Sequence, residues 1–307
     1  MREPSEVAPA GPRAAREPIR SMLFVPGSRP DRFAKAVASG ADAVIIDLED
    51  AVADDGKVRA RRDAAEAVTA LGSAPGCALF VRINALESWA AAEDVRAVVR
   101  PGLAGIVLPK VSGPADVALL DRWLGWSEAE AGLPAGGLAI VPVLETASAL
   151  RAAHEVGAAS HRVMCLGALS ARDGDVQRAV GFRWTAEGAE TLSLRSRALL
   201  DARAAGTPNP VTGLWTAIGD LEGLRRFAEQ NRDLGYEGMM AIHPSHVPVV
   251  NAVFSPTEEE LDRDRRLVGR MERAQAAGTG AAVFEGAMVD EAMLASARAR
   301  LARYGGA

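Results

Sequence analysis

Cysteine is scarce in this chain of 307 residues, and the two present, Cys77 and Cys165, lie in apolar runs. Two such thiols cannot form the disulfide framework of a small secreted domain, so we expect buried thiols and a cytoplasmic location. No apolar run reaches the about 20 residues of a membrane span. Residues 1–20 lack the apolar core of a secretory signal, so we expect no membrane partner.

Positive charge is not in excess either. The chain has 35 basic and 40 acidic residues, which gives a net charge of −5. Proteins that bind nucleic acid through its backbone need clustered positive charge, so we expect no nucleic-acid partner. The Gly-rich motifs of dinucleotide and P-loop sites and the GxSxG motif of hydrolases are absent. Only three basic residues are lysines, namely Lys35, Lys57 and Lys110.

Short apolar runs alternate with helical stretches along most of the chain. The runs are continuously apolar, which is typical of parallel strands buried on both faces. A strand followed by a helix, repeated eight times, predicts an α/β fold of the (β/α)8 TIM-barrel type, with a doubly wound sheet as the alternative. The predicted strands are Ser21–Pro26, Ala43–Asp50, Ala78–Ile83, Gly105–Lys110, Leu138–Thr146, Arg162–Gly167, Asn209–Leu214 and Gly238–Pro244.

The same pattern predicts three segments. Residues 1–19 mix proline, alanine and charged residues and are expected to form a flexible tail. Residues 20–255 are expected to form the barrel, which would be the catalytic domain. Residues 256–307 hold more helix than a barrel needs, so we expect a C-terminal helical lid or an oligomerisation segment.

Acidic side chains follow the fifth and sixth predicted strands. Active sites of barrels lie at the carboxyl ends of the strands. Glu145 ends the fifth strand, and Asp173 and Asp175 follow the sixth. Two carboxylates with waters are a typical Mg²⁺ site. Two loop acids at helix N-termini, where they favour the helix dipole, are the alternative.

Charged residues also end the second and third predicted strands. Arg82 suits the bidentate capture of a carboxylate or of an enolate oxygen, but it could equally form a structural ion pair. Its candidate partners are Asp47, Glu49 and Asp50, some of which would hold Arg82 while others support a metal site. Glu49 and Asp50 are therefore candidate catalytic residues beside Arg82.

Three basic residues near strand ends allow two interpretations each. Lys110 ends the fourth strand and could form a Schiff base with a carbonyl substrate or serve as a structural cation among the acids. Arg29 and Lys35 follow the first strand and could hold the phosphates of a cofactor tail, or they could simply lie on a solvated helix face.

Nine segments together resemble the HpcH/HpaI aldolase and citrate lyase β-subunit family, especially its stand-alone CoA-ester lyases. They occur in the order typical of that family and extend from residue 20 to about residue 303. The segments are Arg20–Lys35, Asp42–Val52, Val81–Asn84, Leu108–Lys110, Val141–Ala147, Asp220–Gly223, Ala241–Pro244, Val250–Phe254 and Gly286–Asp290.

This resemblance implies a metal-dependent (β/α)8 barrel with a C-terminal lid, assembled as a homotrimer or homohexamer. It implies Mg²⁺, or Mn²⁺ in its place, with Glu145 as one ligand, and coenzyme A as part of the substrate. Arg82 would bind the α-keto acid portion and stabilise the enolate. Asp290 would enter a neighbouring subunit's site and take part in proton transfer. The residues at CoA-contacting positions are Phe24, Arg29 and Lys35.

The segment after the sixth strand departs from the family pattern. An alignment from Gly167 places Ser170 at the second metal-ligand position, whereas an alignment from Val180-Gly181 places Asp175 there. We prefer Asp175, since Glu145 alone would hold Mg²⁺ poorly, and Asp173 remains a further candidate.

The expected function is reversible carbon–carbon cleavage of a 3-hydroxyacyl-CoA of the malyl-CoA or citramalyl-CoA type into an acyl-CoA and an α-keto acid. Three other functions stay open. The chain could be a citrate lyase β-like subunit acting on a carrier-bound thioester, a diverged non-catalytic paralogue, or a Schiff-base aldolase using Lys110. Hydrolysis of the thioester is a possible side activity.

Overall fold

The structure is a computed structural model that describes residues 19–167, 172–185, 187–208 and 210–305. The strands are β1 (Ser21–Pro26), β2 (Ala43–Asp47), β3 (Ala78–Arg82), β4 (Leu103–Leu108), β5 (Ala139–Pro142), β6 (Val211–Thr212), β7 (Gly238–Ala241), β8 (Ala282–Phe284) and β9 (Ala287–Val289). The helices are α1 (Phe33–Val37), α2 (Lys57–Leu71), α3 (Ala90–Val98), α4 (Pro114–Ala131), α5 (Ala147–Arg151), α6 (Ala153–Ala158), α7 (Asp175–Val180), α8 (Ala189–Ala204), α9 (Leu221–Leu234), α10 (His246–Phe254), α11 (Glu258–Ala276) and α12 (Glu291–Tyr304).

Strands β1–β7 form one curled parallel sheet in the order β5-β4-β3-β2-β1-β7-β6. The predicted α/β class and the parallel sheet are confirmed. The sixth predicted strand, Arg162–Gly167, is not a continuous strand and meets the β5 edge through two isolated parallel bridges, Ile140–Val163 and Val143–Gly167. Its main chain still bonds to β5, where the Ile140 N–H donates to the Arg162 carbonyl at 2.8 Å and the Gly167 N–H donates to the Pro142 carbonyl at 2.8 Å. Among the described residues, no strand pairing joins this segment to β6.

Both faces of the sheet are buried, which explains the continuously apolar runs. Successive residues of a strand point to opposite faces. Val44 and Ile46 therefore lie in the larger cluster with the helices, while Ile45 lies in a second cluster with Phe80 and Met240. The described part of the chain contains no helix that is long and apolar enough to cross a membrane.

Parallel register brings the carboxyl ends of β1, β2 and β3 together. Pro26 pairs with Asp47, and Asp47 pairs with Arg82 across the next ladder. Gly27, directly after β1, donates its N–H to the Asp47 carbonyl at 2.8 Å. A Cβ at position 27 would lie 2.6 Å from that same oxygen, so only glycine allows this close approach.

Replacing Gly27 with alanine is therefore expected to destabilise the protein by about 1–3 kcal/mol, since the added methyl group must displace the Asp47 backbone. Urea unfolding measures this change. Gly125→Ala is the control, because Gly125 lies inside α4 with no atom near its ideal Cβ. That control should stabilise the protein by about 0.5–1 kcal/mol. Equal effects at the two positions would contradict the steric argument.

The residues from Ser255 onwards form a separate compact unit. It consists of α11, the antiparallel β8–β9 hairpin and α12. A capping box joins Thr257 and Glu260 at the start of α11. Leu267 and Met271 of α11 pack with Leu294 of α12 in a small apolar cluster.

Candidate active site at the carboxyl edge of the sheet

Arg82 is fixed at the end of β3 by a bidentate ion pair. Its Nε and Nη2 each donate to a different oxygen of Asp47 at 2.7 Å. Asp47 is 4% exposed and also accepts the N–H groups of Glu49 and Ala51. Although burial alone would lower the pKa of Arg82, the bonds to Asp47 raise it, so Arg82 stays charged. The Phe24 ring lies 5.0 Å from the guanidinium carbon, which is cation–π geometry.

The third nitrogen of Arg82 has a looser environment. Nη1 lies 3.1 Å from Glu49 Oε2 and 3.9 Å from Asp50 Oδ2. Glu49 Oε2 is buried, and no described group forms an aligned hydrogen bond with it. The sequence left open whether Arg82 forms an ion pair or binds substrate. The structure contains the ion pair with Asp47, and it leaves Nη1 outside that pair.

Lys110 lies among the same acids. Its Nζ donates to Glu49 Oε1 at 2.5 Å and to Asp50 Oδ1 at 3.2 Å. Burial opposes the ammonium form, but the hydrogen bonds to Glu49 and Asp50 and the charges of both acids together outweigh it and raise the pKa of Lys110 above its ordinary value. Burial likewise raises the pKa of Glu49, against the charges of Arg82 and Lys110. Lys110 also has φ +50°, a left-handed conformation that costs a residue with a Cβ about 1–2 kcal/mol.

Glu145 is a half-buried carboxylate without an ion-pair partner among the described residues. One oxygen accepts the main-chain N–H of Lys110 at 2.6 Å. Burial raises the pKa of Glu145 to about 7, and the negative charges of Glu49 and Asp175 contribute to the rise. Such a carboxylate is costly to keep charged unless a cation neutralises it.

The structure describes two of the three candidates for the second metal ligand, Asp175 and Asp173. Asp175 is the first residue of α7, has a 24% exposed side chain and raises the pKa of Glu145 through its charge. Its side chain is also ion-paired with Arg178. Asp173 has a 79% exposed side chain whose nearest cation, in Arg172, is 3.7 Å away. Ser170 lies outside the described residues.

The donor set formed by Glu145 and Asp175 fits Mg²⁺. Mg²⁺ takes oxygen ligands, and proteins often supply only one or two carboxylates while waters and substrate complete the shell. The unpaired Glu145 beside a second acid leaves negative charge that such a cation would neutralise. Within the described ranges, no group of three or more His, Cys, Asp or Glu side chains is arranged to hold a metal ion.

The three residues at CoA-contacting positions lie in different surroundings. Phe24 is part of the site, under Arg82. Arg29 is exposed and forms an ion pair with Asp31 at 2.8 Å. Lys35 is exposed on α1. The site therefore adjoins Phe24, while the two basic residues are available at the surface beyond the end of β1.

Asp290 belongs to the second compact unit. It is exposed and serves as the N-cap of α12, where Oδ1 accepts the N–H groups of Ala292 and Met293 at 3.1 and 3.3 Å. Capping accounts for an aspartate at this position without any catalytic role. Its predicted role in proton transfer remains a prediction.

One contact at the site was missed by the sequence reasoning. Lys57, at the start of α2, donates to the main-chain carbonyls of Leu48 and Glu49 at 3.0 and 2.8 Å. The composition could have pointed to Lys57, because lysine is rare in this arginine-rich chain. Two of its three lysines bind the short segment that follows β2.

Comparisons with known proteins place this chain in a family. A sequence model of the HpcH/HpaI aldolase/citrate lyase family matches residues 20–244. A citrate lyase subunit beta-like protein of Deinococcus radiodurans is 39% identical over 92% of this chain and 96% of its own. A (3S)-malyl-CoA thioesterase of Cereibacter sphaeroides is 34% identical over 93% of this chain and 94% of its own.

A solved structure gives the same result. The protein CitE from Mycobacterium tuberculosis, in complex with magnesium, acetoacetate and coenzyme A, is 32% identical to this chain. The match covers 96% of this chain and 100% of that one, with a TM-score of 0.72. These matches confirm the family resemblance predicted from the nine segments.

Proposed function

Because the chain belongs to the HpcH/HpaI aldolase/citrate lyase family, an enzyme family of carbon–carbon lyases, we propose that it is a Mg²⁺-dependent lyase of 3-hydroxyacyl-CoA esters. The substrate would be of the malyl-CoA or citramalyl-CoA type, and the products an acyl-CoA and an α-keto acid. The observation that supports this most is Arg82, which is fixed by Asp47 near Glu145, a half-buried carboxylate that lacks an ion-pair partner among the described residues.

Glu145 and Asp175 would hold the magnesium ion, which in such sites polarises the oxygen of the reacting alcohol or carbonyl. Arg82 supplies fixed positive charge for the α-keto acid and for the enolate that develops as the bond breaks. Its bidentate attachment to Asp47 means that little reorganisation is needed during the reaction.

The proton transfers are assigned to two acids, Glu49 and Asp290, with Asp50 as a third catalytic acid next to Glu49. Glu49 accepts the proton of the substrate hydroxyl, as suits a carboxylate whose pKa burial has raised, and Asp50 lies beside it. As the carbon–carbon bond breaks, its electron pair becomes the thioester enolate. Asp290 of a neighbouring subunit then returns a proton to the enolate carbon. Arg29 and Lys35 would bind phosphates of coenzyme A, with Phe24 against its acyl end.

We further propose the larger features that the family resemblance implies. The parallel sheet would close as an eight-stranded barrel, with Arg162–Gly167 contributing the remaining strand. Residues 256–307 would form a lid shared between the subunits of a homotrimer or homohexamer. The enzyme would act on small molecules in the cytoplasm.

A condensation assay tests the reaction. Purified protein receives acetyl-CoA or propionyl-CoA with glyoxylate or pyruvate, with and without EDTA, and mass spectrometry identifies the product. A CoA-ester adduct that forms only without EDTA supports the proposal. If no pair yields an adduct although Mg²⁺ and coenzyme A bind, the proposed reaction is wrong.

Thioester hydrolysis is the second candidate, because one relative is named a (3S)-malyl-CoA thioesterase. When malyl-CoA is supplied, a lyase produces acetyl-CoA and glyoxylate, whereas a thioesterase produces free malate and coenzyme A. Product analysis of one reaction distinguishes them. A subunit that needs a carrier-bound thioester would yield neither pair from malyl-CoA.

Sodium borohydride treatment with pyruvate is expected to leave Lys110 unmodified. A Schiff base requires a neutral amine, whereas the bond to Glu49 raises the pKa of Lys110 and keeps the amine protonated. Peptide mass mapping across residues 101–122 measures the outcome. A reduced pyruvyl adduct on Lys110 would replace the metal-dependent mechanism with a Schiff-base one.

Mixing two inactive variants is expected to restore activity. If Asp290 acts in a neighbouring subunit's site, Glu145→Ala and Asp290→Ala chains in one oligomer create some sites with both residues intact. The two variants are dissociated, mixed, reassembled and assayed beside each variant treated alone. Activity that stays at the level of the separate variants in proven mixed oligomers would place Asp290 outside the shared site.

A further inference from the structure

Two lysines bind the segment after β2 in different ways. Lys57 binds only its main-chain carbonyls, those of Leu48 and Glu49. Lys110 binds its carboxylates, at 2.5 Å for Glu49 and 3.2 Å for Asp50. The first contact fixes the backbone of the segment, whereas the second determines where its negative charges lie.

Without Lys110, the three carboxylates around Arg82 would face a single positive charge. Three carboxylates, those of Asp47, Glu49 and Asp50, lie within 3.9 Å of the guanidinium. Lys110 supplies the second positive charge and occupies Glu49 Oε1, while Arg82 Nη1 is near Glu49 Oε2 without an aligned hydrogen bond. If the ammonium were removed, Glu49 could turn fully to Nη1, and an anionic substrate would meet a more negative surface.

The main chain of Lys110 contacts the other half of the site. Its N–H donates to Glu145 at 2.6 Å, and its φ of +50° is the left-handed conformation. One residue thus touches the proposed metal ligand through its backbone and the Arg82 group through its side chain. A residue that served only to neutralise charge would not need this backbone conformation.

We propose that Lys110 is a positioning residue: its ammonium holds Glu49 and Asp50 so that Arg82 keeps charge available for the α-keto acid, and its backbone orients Glu145. This inference rests on the proposed lyase function and deepens it. It makes the keto-acid half of the reaction, and not the CoA half, dependent on Lys110.

Kinetics of Lys110→Met test the side-chain role, with Lys57→Met as the matched control that removes the other lysine of this segment. In condensation, KM for the keto acid should rise about tenfold or more in Lys110→Met, while KM for the acyl-CoA stays within about twofold. Lys110→Arg, which keeps the charge, should restore most of the loss. Lys57→Met should lower the unfolding midpoint and should raise KM for the keto acid less than Lys110→Met does, because the bonds from Lys110 to both carboxylates remain.

Two binding measurements are independent of turnover. Calorimetric titration with pyruvate should give weaker binding for Lys110→Met than for wild type, even if the lyase assay detects no product. Titration of each protein with Mg²⁺ tests the backbone role. Lys110→Met retains the strain of the left-handed conformation, whereas Lys110→Gly relieves it. We expect wild-type Mg²⁺ affinity for Lys110→Gly only if the main-chain N–H of the glycine still donates to Glu145.

The outcomes separate the two proposals. Wild-type activity with an unchanged keto-acid KM and unchanged pyruvate binding in Lys110→Met overturns the side-chain role and leaves the lyase function standing. Wild-type Mg²⁺ affinity in Lys110→Pro, which has no N–H, overturns the backbone role once circular dichroism has shown that this variant is folded. An inactive wild type with weakened pyruvate binding in Lys110→Met overturns the lyase reaction but not the role of Lys110.

Discussion

Replacing Arg82 with lysine is expected to lower kcat/KM about 10²–10³-fold. Lysine keeps a positive charge, but it cannot reproduce the two parallel bonds to Asp47, each 2.7 Å long, and still present a further nitrogen to substrate. Steady-state kinetics in both directions measure the loss. We expect it in kcat as well as in KM, since the charge acts on the enolate that forms during the reaction.

Arg20→Lys is the control for the ion pair itself. Arg20 makes a comparable bidentate pair with Asp42, at 2.9 and 2.7 Å. This pair lies at the amino ends of β1 and β2, away from the carboxyl ends that form the site. Both variants should lose some stability in urea unfolding, but only Arg82→Lys should lose activity. Similar kinetic losses would show that Arg82 acts through stability and not through contact with the reacting groups. Arg82→Met is less informative, because an unpaired buried Asp47 would cost about 3–5 kcal/mol.

Replacing Glu145 with glutamine is expected to weaken Mg²⁺ binding about 100-fold or more and to abolish turnover while the protein stays folded. The amide oxygen of glutamine can still accept the Lys110 N–H, so the change removes charge and little else. Isothermal titration with Mg²⁺ and the condensation assay measure the two losses. Asp175→Asn should weaken binding as well, whereas Asp173→Asn, with its 79% exposed side chain, should not. Weaker binding in Asp173→Asn alone would move the second ligand to Asp173.

The same Glu145 variant carries a stability prediction for the metal-free protein. Burial raises the pKa of Glu145 to about 7 in the folded state, above its ordinary 4.5. The unfolded chain therefore loses this proton first, and stability falls as pH rises from about 4.5 to about 7. Glu145→Gln removes this penalty, so it should be more stable than wild type by about 1–3 kcal/mol at pH 8 and nearly equal to it at pH 4. If Glu145→Gln is less stable than wild type at pH 8, other groups of the protein stabilise the charged Glu145 carboxylate in the absence of metal.

The pattern of apolar residues along the chain predicted where the strands lie and which acids follow them. Val44, Ile45 and Ile46 were predicted to be buried on both sides, and each is inaccessible in the structure. Asp47 and Arg82 were named as possible partners because both ended apolar runs, and parallel register makes them neighbours. Arg162–Gly167 was predicted as a strand on the same grounds, but apolar character alone could not reveal that it pairs with β5 only at two isolated bridges.

The sequence by itself determined the family, the parallel α/β architecture and the set of charged residues at the strand ends, because apolar periodicity and residue order are properties of the chain. Tertiary structure decided which of those residues touch. It placed Arg82 on Asp47, bound Lys110 to Glu49 and Glu145, and put the charge of Asp175 within range of Glu145. These contacts join residues some 30 to 60 positions apart, and burial strengthens the charge–charge interactions among them only where water is excluded.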